Sequence, residues 1–95
     1  VKERDGGRCL CCGAVGDLVV NHRRSGHGHP QSGPQWLTTS CSGCNGDYED
    51  RPLLAYAGGW KLPAGADPLA QPVRDHLGFW WLLDALGGRA LVVAE

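Results

Sequence analysis

The sequence holds no methionine, no long apolar run and no surplus of charge of either sign. A membrane helix needs roughly 20 consecutive apolar residues, and no stretch approaches that length. No basic segment followed by an apolar core marks a secretory signal. Membrane insertion and secretion are therefore not expected, and an intracellular, cytoplasmic setting is. The missing methionine, with Val1 in first place, reads as a trimmed piece or a mature fragment. A net charge of −1 argues against a protein that coats nucleic acid by charge alone. No internal repeat is visible beyond two pairs of cysteines.

The charge that is present is unevenly spread. Lys2, Arg4, Arg8, Arg23 and Arg24 lie in the front half against Glu3, Asp5 and Asp17, while most other acids follow Asp47. Any basic face must be local, centred on Arg23 and Arg24. A chain of 95 residues makes one domain with one modest core, and so small a core usually needs a staple. Five cysteines are available. Cys9, Cys11 and Cys12 stand together, as do Cys41 and Cys44, whereas secreted disulfide scaffolds spread their cysteines along the chain.

Along the chain, Val1 to Arg8 reads as the end of a helix stopped by Gly6-Gly7. Cys9 to Gly13 is a knuckle. Leu18 to His22 is Val-rich and reads as a strand. Ser25 to Pro34 is a loop, and Trp36 to Thr39 returns as a second strand. Ser40 or Ser42 is expected to cap a helix through Asp47, Tyr48 and Glu49. Pro52 opens a short helix over Leu53 to Ala57, closed by Gly58-Gly59. Trp60 to Leu62 looks extended and Pro63 to Pro72 is a loop. The apolar runs Phe79 to Leu83 and Arg89 to Val93 read as a β-hairpin across Gly87-Gly88, with a helix over His76 to Leu86 as the competing assignment. Trp60, Trp80 and Trp81 read as core or interface residues.

Cys9-x-x-Cys12 with Cys41-x-x-Cys44 is the strongest pattern. Zinc takes four tetrahedral ligands, and a two-residue spacer lets one turn place two sulfurs on the same ion. A structural zinc on Cys9, Cys12, Cys41 and Cys44 is expected. Cys11 is the spare knuckle residue, with no His placed to make it a catalytic thiol. His27 and His29 lie in the Gly-rich loop and read as solvated or substrate-touching rather than as ligands.

Between the cysteine pairs lies Val19-Val20-Asn21-His22-Arg23-Arg24, then the loop, then Trp36 to Ser40, with Asn45 directly after Cys44. Together with the lead-in Arg4-Asp5-Gly6-Gly7-Arg8-Cys9, the chain resembles the HNH (ββα-metal) endonuclease family, and in particular small HNH proteins of actinobacterial phages. Their tails resemble Ala55-Tyr56-Ala57, Gly59 to Leu62, Pro72-Val73, Trp80 to Asp84 and Gly87-Gly88. The resemblance implies a small α+β zinc-stapled domain: a ββα-metal core over residues 1–59, and a C-terminal β-hairpin extension over 60–95 packed on the same domain.

It also implies metal-dependent endonuclease activity on double-stranded DNA. His22 would be the general base, since a neutral imidazole with a pKa of about 6.5 can take a proton from water. Asn21 and Asn45 would hold a catalytic Mg2+ or Mn2+. Beside such a base, Arg23 and Arg24 would contact the DNA backbone. Phage genome packaging beside terminase and portal would be the setting. In a regular strand, Asn21 and His22 point to opposite faces, so both reach one ion only if the strand ends or bends there. The sequence departs from the family where a bracing asparagine usually stands: Trp36 occupies that place, and Gln35 or a backbone carbonyl would have to brace the base. The rival reading is a catalytically weak or inactive zinc-ribbon module that binds DNA or a packaging protein; an enzyme acting on RNA is a third.

Overall fold

The structure, a computed structural model, describes residues 1–24 and 33–93. The alternating, Val-rich run Leu18–His22 forms β1. It pairs antiparallel with β2, Leu37–Cys41, in a register that runs from Leu18 opposite Cys41 to His22 opposite Leu37. Trp36 is not part of this strand. It ends a short 3-10 turn, Pro34–Trp36, and its carbonyl accepts from Arg23 N at 2.7 Å. The rest of the expected loop, residues 25–32, lies outside the described residues.

β2 runs straight into helix α1, Ser42–Asp50. Asn45-Gly46 is a poor helix interior, so the start of α1 is fixed from outside. Neither serine caps it. Cys41 is the cap, its Sγ accepting from Cys44 N. Ser40 is still in β2, where its hydroxyl meets Tyr48 Oη, and Ser42 Oγ donates to Asp17 O. Helix α2, Pro52–Gly58, opens on its proline and closes on Gly59 in the left-handed region. A Cβ on Gly59 would run into the Pro72 carbonyl, so both conformation and space require glycine there.

The back third forms a three-stranded antiparallel sheet in the order β3 (Val73–Arg74), β4 (Trp80–Leu83), β5 (Arg89–Leu91). The hairpin is the expected one; β3 was not legible. The competing helix is defeated by two aspartates that bind their own following backbone. Asp84 Oδ1 accepts from Leu86 N and Gly88 N, and Asp75 Oδ1 from Leu77 N and Phe79 N. The N-terminal segment is turns rather than a helix end, with Gly6 and Gly7 at positive φ. It covers the outer edge of β2: Thr39 N donates to Asp5 Oδ2 and Leu10 N to Thr39 O. Arg4 locks Asp5 with two bonds and donates to the Pro34 and Leu37 carbonyls.

The core gathers Leu10, Tyr48, Ala55, Trp60, Val73 and Leu83, with the Tyr48 and Trp60 rings stacked at 5.7 Å. The result is a small α+β domain with, among the described residues, two α-helices and two sheets.

Arg23 joins the front of the chain to the back. Its side chain is 0 % exposed. Nε donates to Gly59 O, Nη1 to Gln35 O and Pro68 O, and Nη2 to Gln71 O. No carboxylate accompanies it among the described residues. Burial, with Arg4 adding to it, pushes the guanidinium down to about 10, so it stays a cation at neutral pH. The expected DNA contact at Arg23 is therefore corrected: every donor group faces a carbonyl inside the protein.

Arg23→Met should lower stability in urea unfolding by on the order of 3 kcal/mol or more, because four carbonyls lose their donor. Arg23→Lys, without the planar fork, should recover little of it. Asp75 offers a pH test. Burial raises its pKa, but bonds from Trp81 Nε1, Phe79 N and Leu77 N outweigh this and hold it below the ordinary value. Its stabilisation is present above about pH 3.9, the unfolded value, and is lost as pH falls through the lower folded value. Asp75→Asn should destabilise the protein at neutral pH and flatten the loss of stability in acid; an unchanged acid limb would contradict this.

Candidate functional site

Four sulfurs meet between the knuckle and the start of α1. The Sγ atoms of Cys9, Cys12, Cys41 and Cys44 all lie within 4.8 Å of one another, and Cys12 and Cys41 are 3.7 Å apart. A disulfide would bring its sulfurs to about 2.05 Å, and all five cysteines are free. Sulfurs placed tetrahedrally about 2.3 Å from a zinc ion stand about 3.8 Å apart, so the cluster has the size of a closed structural zinc site.

Local geometry builds it. Gly13, at φ 82, turns the knuckle back, donating its N–H to Cys9 O, while Cys9 N donates to Ala14 O. Cys44 N supports Cys41 Sγ and pulls that thiol below its ordinary value. Desolvation, then the neighbouring Cys12 and Cys41 sulfurs, push Cys44 far up. Four thiolates do not share this space comfortably without a cation, which is the chemistry a divalent ion supplies. Cys11 stays outside the cluster, half-buried against Cys44 and Tyr48, with desolvation raising its thiol.

The other expected site residues are not brought together. Asn21 is 1 % exposed and lies on the sheet face covered by α1. Its Nδ2 donates to Thr38 Oγ1 and Trp60 O, and its Oδ1 is buried without a partner among the described residues. His22, the next residue, is exposed at the end of β1, on the opposite face by strand alternation. The strand carries its regular pairing through His22, so Asn21 and His22 do not converge on one ion. This corrects the expected pairing of Asn21 with a catalytic ion beside His22. Asn45 sits half-buried in the first turn of α1. Arg24 is half-buried and bridges to Leu62. His27 and His29 lie outside the described residues. Gln35 does not brace His22: its Oε1 is buried without a partner among the described residues, and its carbonyl serves Arg23.

One neighbour of His22 was not anticipated. Lys61 Nζ donates to the His22 carbonyl at 2.7 Å. Burial lowers its pKa, opposed by the charge of Glu49. Nothing in the sequence marks Lys61 except its place in the stretch Gly59 to Leu62 that carries the tail likeness. It places an ammonium on the backbone carbonyl of residue 22, while Arg23, one of the two arginines expected at the DNA backbone, is buried.

Metal analysis of the purified protein should find about one zinc per chain. Cys12→Ser or Cys41→Ser should lose it and unfold, and a strong chelator should lower Tm. Because ligating thiols must be deprotonated, zinc should be released as pH falls. Full stability in a metal-free sample would refute the staple. No family model, curated protein or solved structure matches this chain, so any reading of the site rests on its own residues.

Proposed function

We propose that this chain is a nuclease of the HNH (ββα-metal) type that hydrolyses phosphodiester bonds of double-stranded DNA, with His22 as general base. The supporting observation is the position of His22. It stands exposed at the end of a hairpin strand whose partner runs directly into α1, and the four-cysteine cluster fixes that junction. No hydrogen bond ties its ring to the described residues, so the imidazole is open to a water molecule. A phosphate bound at this strand end would meet the ammonium of Lys61, which donates to the His22 backbone carbonyl. Arg24 remains a candidate contact to the DNA backbone. A place in phage genome packaging, beside terminase and portal in the host cytoplasm, belongs to the same proposal through the motif likeness alone.

The expected Mg2+ or Mn2+ fits less well. Among the described residues the one group of three or more His, Cys, Asp or Glu donors is the cysteine cluster, and Asn21 Oδ1 is sealed from solvent. Asn45 alone is not a binding site. A divalent-ion requirement is therefore a property to measure, and no step is assigned through it. The sealed Asn21 also favours a second reading, a zinc-stapled module that binds DNA or a protein without cutting.

Plasmid nicking with added magnesium or manganese separates the two. His22→Ala should lose about 10²- to 10⁴-fold in rate. Lys61→Met should lose about tenfold, a 1.4 kcal/mol effect, with Lys61→Arg retaining most of it. Equal nicking by parent and His22→Ala would rule out the base. A zinc-loaded parent that cuts nothing would leave the binding module.

A further inference from the structure

A groove of about 320 Å³ lies between the N-terminal turns and the second sheet. Its walls include Arg8 and Leu10 on one side, and His76, Phe79, Trp81 and Arg89 on the other. The volume is at the small end for ligand sites, enough for one flat group rather than an extended one.

Three features give the groove its chemistry. First, the acids that line it are already used. Asp5 is bound by Arg4 and Thr39 N, and both oxygens of Asp75 accept hydrogen bonds, from Leu77 N, Phe79 N and Trp81 Nε1. Second, the two arginines have no carboxylate partner. The one salt bridge among the described residues is Arg4 with Asp5. Arg8 spends a single donor on Gly13 O, and Arg89 sits over the Trp81 ring, its Cζ 3.9 Å from the centroid. Arg89 remains exposed to solvent while it covers the indole. Third, an aromatic ring is held outward by rigid backbone. Phe79 is 53 % exposed, yet its N–H is fixed by Asp75 Oδ1 and its carbonyl by Asp75 N. The same carboxylate pins Trp81, so the Phe79 ring and the Arg89–Trp81 pair line one groove on a backbone-anchored support.

We infer that this groove binds single-stranded nucleic acid, stacking one base on the platform of Phe79 and the Arg89–Trp81 pair and taking a neighbouring phosphate on Arg8. Planar, sequence-tolerant π-faces next to a phosphodiester are what such a surface recognises. A run of Asp and Glu side chains would satisfy the arginines but brings no aromatic ring to stack on Phe79. The groove is separate from His22 and does not need it to be catalytic. It would hold an unpaired strand whether the protein cuts or only binds.

Fluorescence anisotropy with a labelled single-stranded oligothymidylate, on the zinc-loaded full chain without added magnesium or manganese, tests this. Phe79→Ala should weaken binding about fivefold or more, and Phe79→Trp should restore it. Arg89→Gln should weaken it similarly and reduce its salt dependence. Leu53→Ser, on the exposed face of α2, should bind as the parent does. Zinc content and circular dichroism verify folding, and the exposed Arg89 keeps the test usable if a Phe79 variant misfolds. Oligothymidylate binding unchanged in Phe79→Ala or Arg89→Gln overturns the inference, as does tighter binding of a labelled acidic peptide that depends on the same residues. Nicking by the parent with strand binding indifferent to these variants defeats the groove alone. Strand binding that depends on them in a parent that never nicks defeats the nuclease alone.

Discussion

Four sulfurs from two segments 29 positions apart, drawn into a cluster less than 5 Å across, set the geometry on which the rest depends. Apart from Leu10, the knuckle at Cys9 to Gly13 brings no large apolar side chain to hold it in place. The helix that follows Cys41 has a weak interior and no serine cap. Both become ordered because their sulfurs converge. Once they do, Leu10 is pressed into the core and bonded to Thr39 on the edge of β2, and Tyr48 is carried over the sheet to stack on Trp60. A core this small could not hold those elements by burial alone.

Around that junction the protein separates what it seals from what it shows. Asn21, Thr38, Thr39, Ser40 and Arg23 are all buried polar residues, an unusual load for a 95-residue chain. Most are satisfied by carbonyls or by one another, and this polar layer makes the hairpin and the tail one body. Residue 22, between two sealed neighbours, faces water. The backbone of that exposed histidine is thus held on both sides by buried neighbours, while its ring is left to solvent. The same polar layer takes Asn21 and Arg23 out of any surface chemistry.

What the sequence made legible was whatever had local causes. The two-residue spacing of the cysteines foretold the cluster. The Val-rich alternation foretold β1 to the residue, and Pro52 with Gly58-Gly59 foretold α2. The hairpin of β4 and β5 was legible from two apolar runs around Gly87-Gly88. What stayed hidden had distant causes. β3 is two residues long and exists only because β4 pairs with it. Arg23 reads as a surface residue beside Arg24, and only carbonyls 12 to 48 positions away make its burial possible. Lys61 meets a backbone carbonyl 39 positions back, a contact no side-chain pattern can announce. Cys41 as a helix cap was missed because sulfur is a weaker acceptor than the serine hydroxyls on either side, and the cluster decided the matter.

The four carbonyls around Arg23 also order the events of synthesis. The chain emerges from its N-terminus, and the cysteines, β1, β2 and α1 are all complete by residue 50. At that moment Gln35 is the one partner of the Arg23 guanidinium that exists; Gly59, Pro68 and Gln71 are still to be made. The guanidinium must stay hydrated until residue 71 has been added, and the floor beneath the hairpin stays open with it. The half that carries the four cysteines can gather its sulfurs early, but it acquires a dry interior only when the tail arrives. Its final closure is therefore a late event, timed by the length of chain beyond α2 and not by the speed at which the hairpin forms.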